Sequence, residues 1–192
     1  KSAIPRRSAL YMPGANARAL EKARTLDADC LLLDLEDSVA PDAKTQAREQ
    51  VCTALEAGGY GAREIVVRVN GLDTDWGHDD LAAITKLATK KGCAPNAILA
   101  PKISTADDID AVCAHLPDGV ALWIMIETPA AIFNLDALAA RASDTPLACF
   151  VMGTNDLAKE MQAALVPRRG DAWYTGRCGG AGRAACLRYA FG

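Results

Sequence analysis

Ala121-Leu-Trp-Ile-Met-Ile-Glu-Thr128 and Leu147-Ala-Cys-Phe-Val-Met-Gly-Thr-Asn-Asp156 are apolar runs that close on an acid. Both read as buried strands, each with a carboxylate, Glu127 or Asp156, at its C-terminal tip. Charge there is costly unless something pairs with it. In a β/α barrel that tip is where chemistry is done. Two carboxylates from successive strands suit one hard cation, Mg²⁺, which prefers oxygen ligands and keeps waters for its substrate.

Working outward, four more β-like runs lie at 8–12, 30–35, 64–70 and 97–103, giving six with 121–127 and 147–153. Helical patterns separate them at 16–26, 41–57, 79–91, 105–116, 129–142 and 157–164. Near-continuous apolar strands alternating with helices predict a parallel sheet covered on both faces. An open doubly wound sheet and a barrel both satisfy that pattern. No glycine-rich nucleotide fingerprint follows any strand, and polar residues follow most strand ends. This favours a TIM-type (β/α)8 barrel, incomplete here at about six units. Residues 1–167 carry the pattern and a balance of −7. Residues 168–192 hold five arginines, one aspartate and six glycines, and read as a separate tail. An open barrel of this kind is expected to cover its edges by self-association, as a homo-oligomer.

Bulk composition narrows the function classes. A chain of 192 residues with 51% hydrophobic content has enough core for one domain. A net charge of −3 gives no electrostatic case for nucleic-acid or membrane partners. Neither a long apolar span nor a signal-peptide core appears. Seven scattered cysteines, none in a C-x-x-C pair, point to a reducing cytoplasm.

Several residues are placed to carry chemistry. Asp34, Glu36 and Asp37 crowd the end of one strand and need a cation, a basic partner or solvent. Helix capping and pairing with Lys44 or Arg48 is the bland account of them. Arg68 interrupts a β-branched strand and shares parity with Asn70. Its fork suits a substrate carboxylate, or a structural pair with Glu36 or Glu127. Lys102 fits a Schiff-base lysine or an ordinary charge at a strand end. His115 is expected at the surface, and His78 in a loop near the Arg68 strand. Zinc is disfavoured because no His/Cys cluster exists.

Arg7-Ser-Ala-Leu-Tyr-Met-Pro-Gly14, Asp34-Leu-Glu-Asp-Ser-Val39 with Lys44 and Arg48, Val67-Arg-Val-Asn70, Pro101-Lys-Ile103, Ile126-Glu-Thr128 and Gly153-Thr-Asn-Asp-Leu157 follow one another in order. Over about residues 5–165 this set resembles the citrate lyase beta-subunit family, within the wider superfamily of malyl-CoA and citramalyl-CoA lyases and HpcH/HpaI hydroxy-acid aldolases. The resemblance implies a TIM-type barrel, Mg²⁺ and reversible carbon–carbon cleavage of a 3-hydroxyacyl-CoA thioester. It implies Glu127 and Asp156 as metal ligands and Arg68 as binder of the acid's carboxylate. Glu36 and Asp37 would orient Arg68 and metal waters, and Arg7 would meet the CoA phosphates. Pro13, Gly14, Asn70 and Lys102 fall in the same motifs and are expected at the substrate site. An inactive barrel acting as a binding subunit, and a pyruvate-type aldolase without CoA, are the competing readings.

Overall fold

The computed structural model describes residues 6–163 and the backbone of 186–187. Six strands appear where the apolar runs predict them: β1 Ala9–Pro13, β2 Cys30–Asp34, β3 Glu64–Arg68, β4 Ala97–Ala100, β5 Ala121–Ile126 and β6 Leu147–Met152. Helices α1 Ala17–Ala23, α2 Lys44–Ala57, α3 Gly77–Ala88, α4 Ala106–Cys113, α5 Pro129–Phe133, α6 Leu135–Ala140 and α7 Thr154–Glu160 lie between and after them. Strand order follows the chain, and each of β1 to β6 pairs in parallel with the next. A doubly wound sheet reverses its order at a switch point. None occurs among the described residues, so these units are those of an incomplete TIM-type barrel.

Residues 168–192 lie outside the described residues except for β7, Cys186–Leu187. Its backbone pairs antiparallel with Val151 and Phe150 on β6.

The helices begin where the sequence provides caps. Pro41 opens a 3-10 turn, Pro41–Ala43, that leads into α2. Thr105 and Asp108 form a capping box at α4, satisfying two backbone donors that the first turn leaves unpaired. The pattern at 129–142 is not one helix. It breaks at Asn134, whose backbone leaves the helical region and whose Nδ2 donates to the Ser104 carbonyl at 2.9 Å. This tertiary hydrogen bond to the loop after β4 outweighs continuation of the helix.

Strand alternation sorts the core into two layers. Leu31, Leu33, Ile65 and Val67 face the α1–α3 side, while Leu122, Ile124, Phe150 and Met152 pack towards α4–α7. Cys30, Leu32, Val66, Ala97, Leu99, Trp123, Met125, Cys149 and Val151 form an inner layer made of strands alone. Period-2 geometry then fixes what stands above that layer at the C-terminal ends. Tyr11, Asp34, Arg68 and Glu127 share its parity. At the opposite end Arg6 pairs with Glu64 and stacks over Trp123, 4.6 Å from the ring centre.

Candidate active site at the carboxyl ends of the strands

Tyr11, Asp34, Asp37, Ser38, Arg68, Met125, Glu127, Met152, Gly153 and Asp156 contribute to a cavity of about 440 Å³ at the C-terminal end of the sheet. Its charge is arranged in two clusters.

The first cluster centres on Arg68. Nε and Nη2 donate to the two carboxylate oxygens of Asp34, each at 2.7 Å, forming a buried fork. Nη1 donates to Asp37 at 3.1 Å and lies 2.9 Å from Glu36 Oε2. That second approach is an ion pair without hydrogen-bond alignment, which leaves Glu36 Oε2 buried with no donor. The guanidinium also lies 4.8 Å from the Tyr11 ring centre, a cation–π distance. Burial alone would lower the Arg68 pKa, but the Asp34 hydrogen bonds and the nearby carboxylates raise it overall. Burial likewise acts to raise Asp34, and the Arg68 hydrogen bonds and charge hold it below its ordinary value. Asp34 also accepts from the backbone N–H groups of Glu36 and Ser38. It therefore both caps the loop and anchors the arginine. Glu36 moves the other way: burial, against the pull of Arg68, pushes its carboxyl up to about 7.

Lys44 holds this loop from behind. Its Nζ donates to the Leu35 and Glu36 carbonyls, both at 2.8 Å, and to Asn70 Oδ1 at 2.7 Å. Asn70 Nδ2 donates to the Leu35 carbonyl and to Asp80 of α3, at 2.9 and 2.7 Å. The Asn70 side chain is thus engaged in joining β3 to α2 and α3 and does not line the Arg68 cavity. Asn70 and Lys102 both border a smaller neighbouring cavity of about 210 Å³.

The second cluster joins β4, β5 and α7. Glu127, one residue past β5, is 1% exposed at its side chain. Asp156 does not end a strand: β6 stops at Met152, and Thr154-Asn155-Asp156 forms the first turn of α7. Both carboxylates nevertheless converge on one cation, the Lys102 ammonium. Its Nζ donates to Asp156 and lies 3.6 Å from Glu127 Oε1. The Lys102 backbone N–H donates to the same Glu127 oxygen at 2.7 Å. Burial raises the Glu127 pKa, partly offset by Lys102. The Lys102 hydrogen bond lowers that of Asp156. Gly153 stands at the inner-layer position of this strand end. A Cβ there would lie 2.6 Å from Glu127 Oε2 and 2.5 Å from its Cβ, so only glycine leaves room for the carboxylate.

The donor set fits a hard divalent ion: two carboxylates at the edge of an open cavity, with space for the waters that Mg²⁺ retains. Among the described residues no group of three or more His, Cys, Asp or Glu is arranged for a metal.

The remaining expected residues lie elsewhere. Pro13 ends β1, and Gly14 donates its N–H to the Asp34 carbonyl at 2.8 Å. A Cβ at Gly14 would lie 2.6 Å from that oxygen, so Gly14 is a packing requirement beside the site. Arg7 precedes β1 and pairs with Asp29, which precedes β2, so it sits at the opposite end of the parallel sheet. Its side chain is 82% exposed. His78 stands in the first turn of α3 instead of the expected loop, and it stacks edge to face at 5.2 Å with His115, two residues past the end of α4; both are exposed. Tyr11, Met125, Met152 and Gly153 are cavity residues that charge-based reading passed over. For Tyr11, Met125 and Gly153 the signal was inner-layer parity; Met152 has the opposite parity and carried none. No helix among the described residues is long and apolar enough to cross a membrane.

Comparison with known proteins bears on the family and the fold. The chain is 47% identical over 167 residues to the (3S)-malyl-CoA thioesterase of Cereibacter sphaeroides strain ATCC 17025, covering 87% of this chain and 55% of the relative. It is 34% identical over 172 residues to the citrate lyase subunit beta of Escherichia coli K12, covering 84% and 54%. The chain therefore spans about half the length of the curated relatives it matches. Among solved structures, a magnesium/glyoxylate complex of Haloferax volcanii malate synthase superposes with a TM-score of 0.74 at 20% identity, over 85% of this chain and 56% of that one. The CitE protein of Mycobacterium tuberculosis, in complex with magnesium and acetoacetate, gives 0.65 at 22%, over 88% and 63%. These two show the fold. The family model for HpcH/HpaI aldolase/citrate lyase matches residues 7–184, beyond the stretch of about 5–165 over which the sequence motifs carry the resemblance. The chain belongs to the HpcH/HpaI aldolase/citrate lyase family.

Proposed function

We propose that this chain is part of a Mg²⁺-dependent carbon–carbon lyase acting on a 3-hydroxyacyl-CoA thioester of the citryl-, malyl- or citramalyl-CoA type. The observation that carries the reading is the convergence of Glu127 and Asp156 on one cation position beside Arg68. In this reading Glu127 and Asp156 hold Mg²⁺. When bound, the ion supplies Lewis-acid stabilisation of negative charge on the acid portion of the substrate. Arg68 is held rigid by Asp34, and its Nη1, the nitrogen outside that fork, meets a substrate carboxylate while shared with Asp37 and Glu36. Glu36 and Asp37 position that nitrogen. Tyr11 and Met125 wall the cavity and reduce the water around it, which strengthens each charge interaction inside. The substrate partner is an acyl-CoA or a hydroxy or oxo acid. The protein is a cytoplasmic homo-oligomer in this reading, and the edge of β1, with Leu10 40% exposed, is the surface available for self-association.

A thioesterase reading is favoured by one observation, the name of the 47% identical relative. The two reactions release different products. A lyase leaves the thioester intact and yields an oxo acid, whereas a thioesterase frees the CoA thiol. Incubation with a panel of 3-hydroxyacyl-CoA esters, with oxo acid and free thiol read separately, distinguishes them. Mg²⁺-dependent oxo acid without thiol is the expected result. Thiol release without oxo acid would replace the lyase reading, and turnover unaffected by removal of Mg²⁺ would remove the metal from it.

A further inference from the structure

Lys102 adopts a backbone that neither β4 nor α4 requires. Its φ of 56° lies in the left-handed region, which residues with a side chain rarely occupy. The turn has a clear consequence. It aims the Lys102 N–H at Glu127 Oε1, 2.7 Å away, and carries Nζ back to Asp156 and to within 3.6 Å of the same Glu127 oxygen. One residue thus grips both carboxylates, by its backbone and by its side chain.

We propose that Lys102 is the resident counter-ion of the metal site, its ammonium occupying the position between Glu127 and Asp156 and withdrawing when a divalent cation enters. The inference rests on the reading of Glu127 and Asp156 as metal ligands. The N–H contact to Glu127 does not depend on the ammonium, so a ligand oxygen stays oriented as Nζ leaves. The side chain is 39% exposed, which gives it a path to water. An ammonium is a compact, strongly hydrated charge on a flexible stem, so withdrawal sacrifices no fork of the kind that fixes Arg68. Without a cation between them, Glu127 would be buried next to a second carboxylate with only the Lys102 N–H in direct contact to offset its charge, a costly arrangement. Lys102 is accordingly a positioning residue. It keeps the ligand pair assembled in the metal-free protein and lowers apparent metal affinity by competing for the same place.

Substitution separates these roles, because Lys102→Met keeps the backbone N–H and an unbranched side chain one atom shorter while removing the charge. If the ammonium occupies the site for roughly nine-tenths of the time, its removal tightens Mg²⁺ binding roughly tenfold. Calorimetric titration of both proteins with MgCl₂ reads this directly. Metal-free Lys102→Met should melt below wild type, and added Mg²⁺ should raise its melting temperature more. In wild type, Mg²⁺ should increase acetylation of Lys102 by acetic anhydride, measured by mass spectrometry against exposed Lys86. Equal or weaker Mg²⁺ binding by Lys102→Met, while wild type binds, would overturn the inference and leave the metal site standing. So would unchanged Lys102 acetylation at saturating Mg²⁺. Absence of Mg²⁺ binding in both proteins would remove the metal site itself, and the inference with it.

Discussion

The Arg68 and Lys102 clusters stand on one sheet, at one end, and each sets a cation among carboxylates, yet they are built for opposite ends. Arg68 is 7% exposed at its side chain and donates two parallel hydrogen bonds to an Asp34 that is 1% exposed. Bidentate geometry fixes both position and orientation. Lys102 is 39% exposed and reaches its acids with one mobile ammonium. The difference is that between a permanent fixture and a place-holder. A guanidinium buried in a matching fork cannot leave without stranding a charge. An ammonium at the rim can leave, because water is there to receive it. Arg68, Asp34 and Glu127 share inner-layer parity, whereas Lys102 and Asp156 come from the turn after β4 and from α7, so the two clusters differ in origin as well as in the chemistry and depth of the cation.

Removing the fixed cation should give the largest effect. Arg68→Met strands Asp34 as an uncompensated buried charge, which typically costs about 3–5 kcal/mol. Urea unfolding should show that loss, and Asp34→Asn in the same chain should recover much of it. Lys102→Met, measured alongside without metal, should cost less, because Asp156 keeps access to water and the Lys102 backbone N–H still donates to Glu127. If the two single variants were equally destabilised, the contrast between fixture and place-holder would be lost.

A smaller effect should appear with pH, within the Arg68 cluster itself. Glu36 is raised from an ordinary 4.5 to about 7 by burial, so the fold favours its protonated form. That contribution is fully present below the unfolded value and is lost as pH rises through about 7. Its slope is at most about 1.4 kcal/mol per pH unit. Asp34 is depressed, so its contribution is present above its ordinary range and is lost only as pH falls through its lower folded value. Between these limits wild-type stability should decline towards pH 7, and Glu36→Gln should flatten that decline. Stability curves that run parallel for the two proteins from pH 5 to 7 would show that Glu36 does not titrate there.

How much of this was legible in the sequence depended on whether a feature was local. Six strands and the capping of α4 follow from apolar runs and from Thr105 and Asp108. Glu127 was placed by simple extension of β5. Asp156 was read as a strand end, although Thr154-Asn155-Asp156 is a run of residues that favour helix starts, and α7 begins there. The apolar run masked that signal. The break at Asn134 depends on the Ser104 carbonyl, thirty residues away, which no local pattern encodes. Asn70 shares parity with Arg68, yet Lys44 and Asp80 claim its side chain. That partnership exists only once α2 and α3 have packed. Gly153 and the left-handed turn at Lys102 look ordinary in sequence and acquire meaning only from their closeness to Glu127.

The smallest expected effect tests the one motif residue that stands apart from both clusters. Arg7 belongs to the same run as Tyr11, Pro13 and Gly14, and the family resemblance assigns it to the CoA phosphates. The parallel sheet places it at the N-terminal end, whereas Tyr11, on the same strand, points into the cavity. Asp29 holds Arg7 through Nη2 at 2.7 Å and Nε at 3.0 Å, and also accepts from the backbone N–H groups of Arg7 and Ser8. These bonds, with the Arg7 side chain foremost, bring the Asp29 carboxyl down to about 2. Arg7→Ser keeps the two backbone donors and removes the charge. The Asp29 pKa should then rise towards its ordinary value, while Mg²⁺ affinity and the KM for a CoA ester stay unchanged. An increase in that KM without a change in Mg²⁺ affinity would mean that Arg7 does reach substrate. Within one chain it faces away from the cavity, so the contact would have to be made at the site of a neighbouring copy. The comparison of clusters would then need a third member, supplied across an interface.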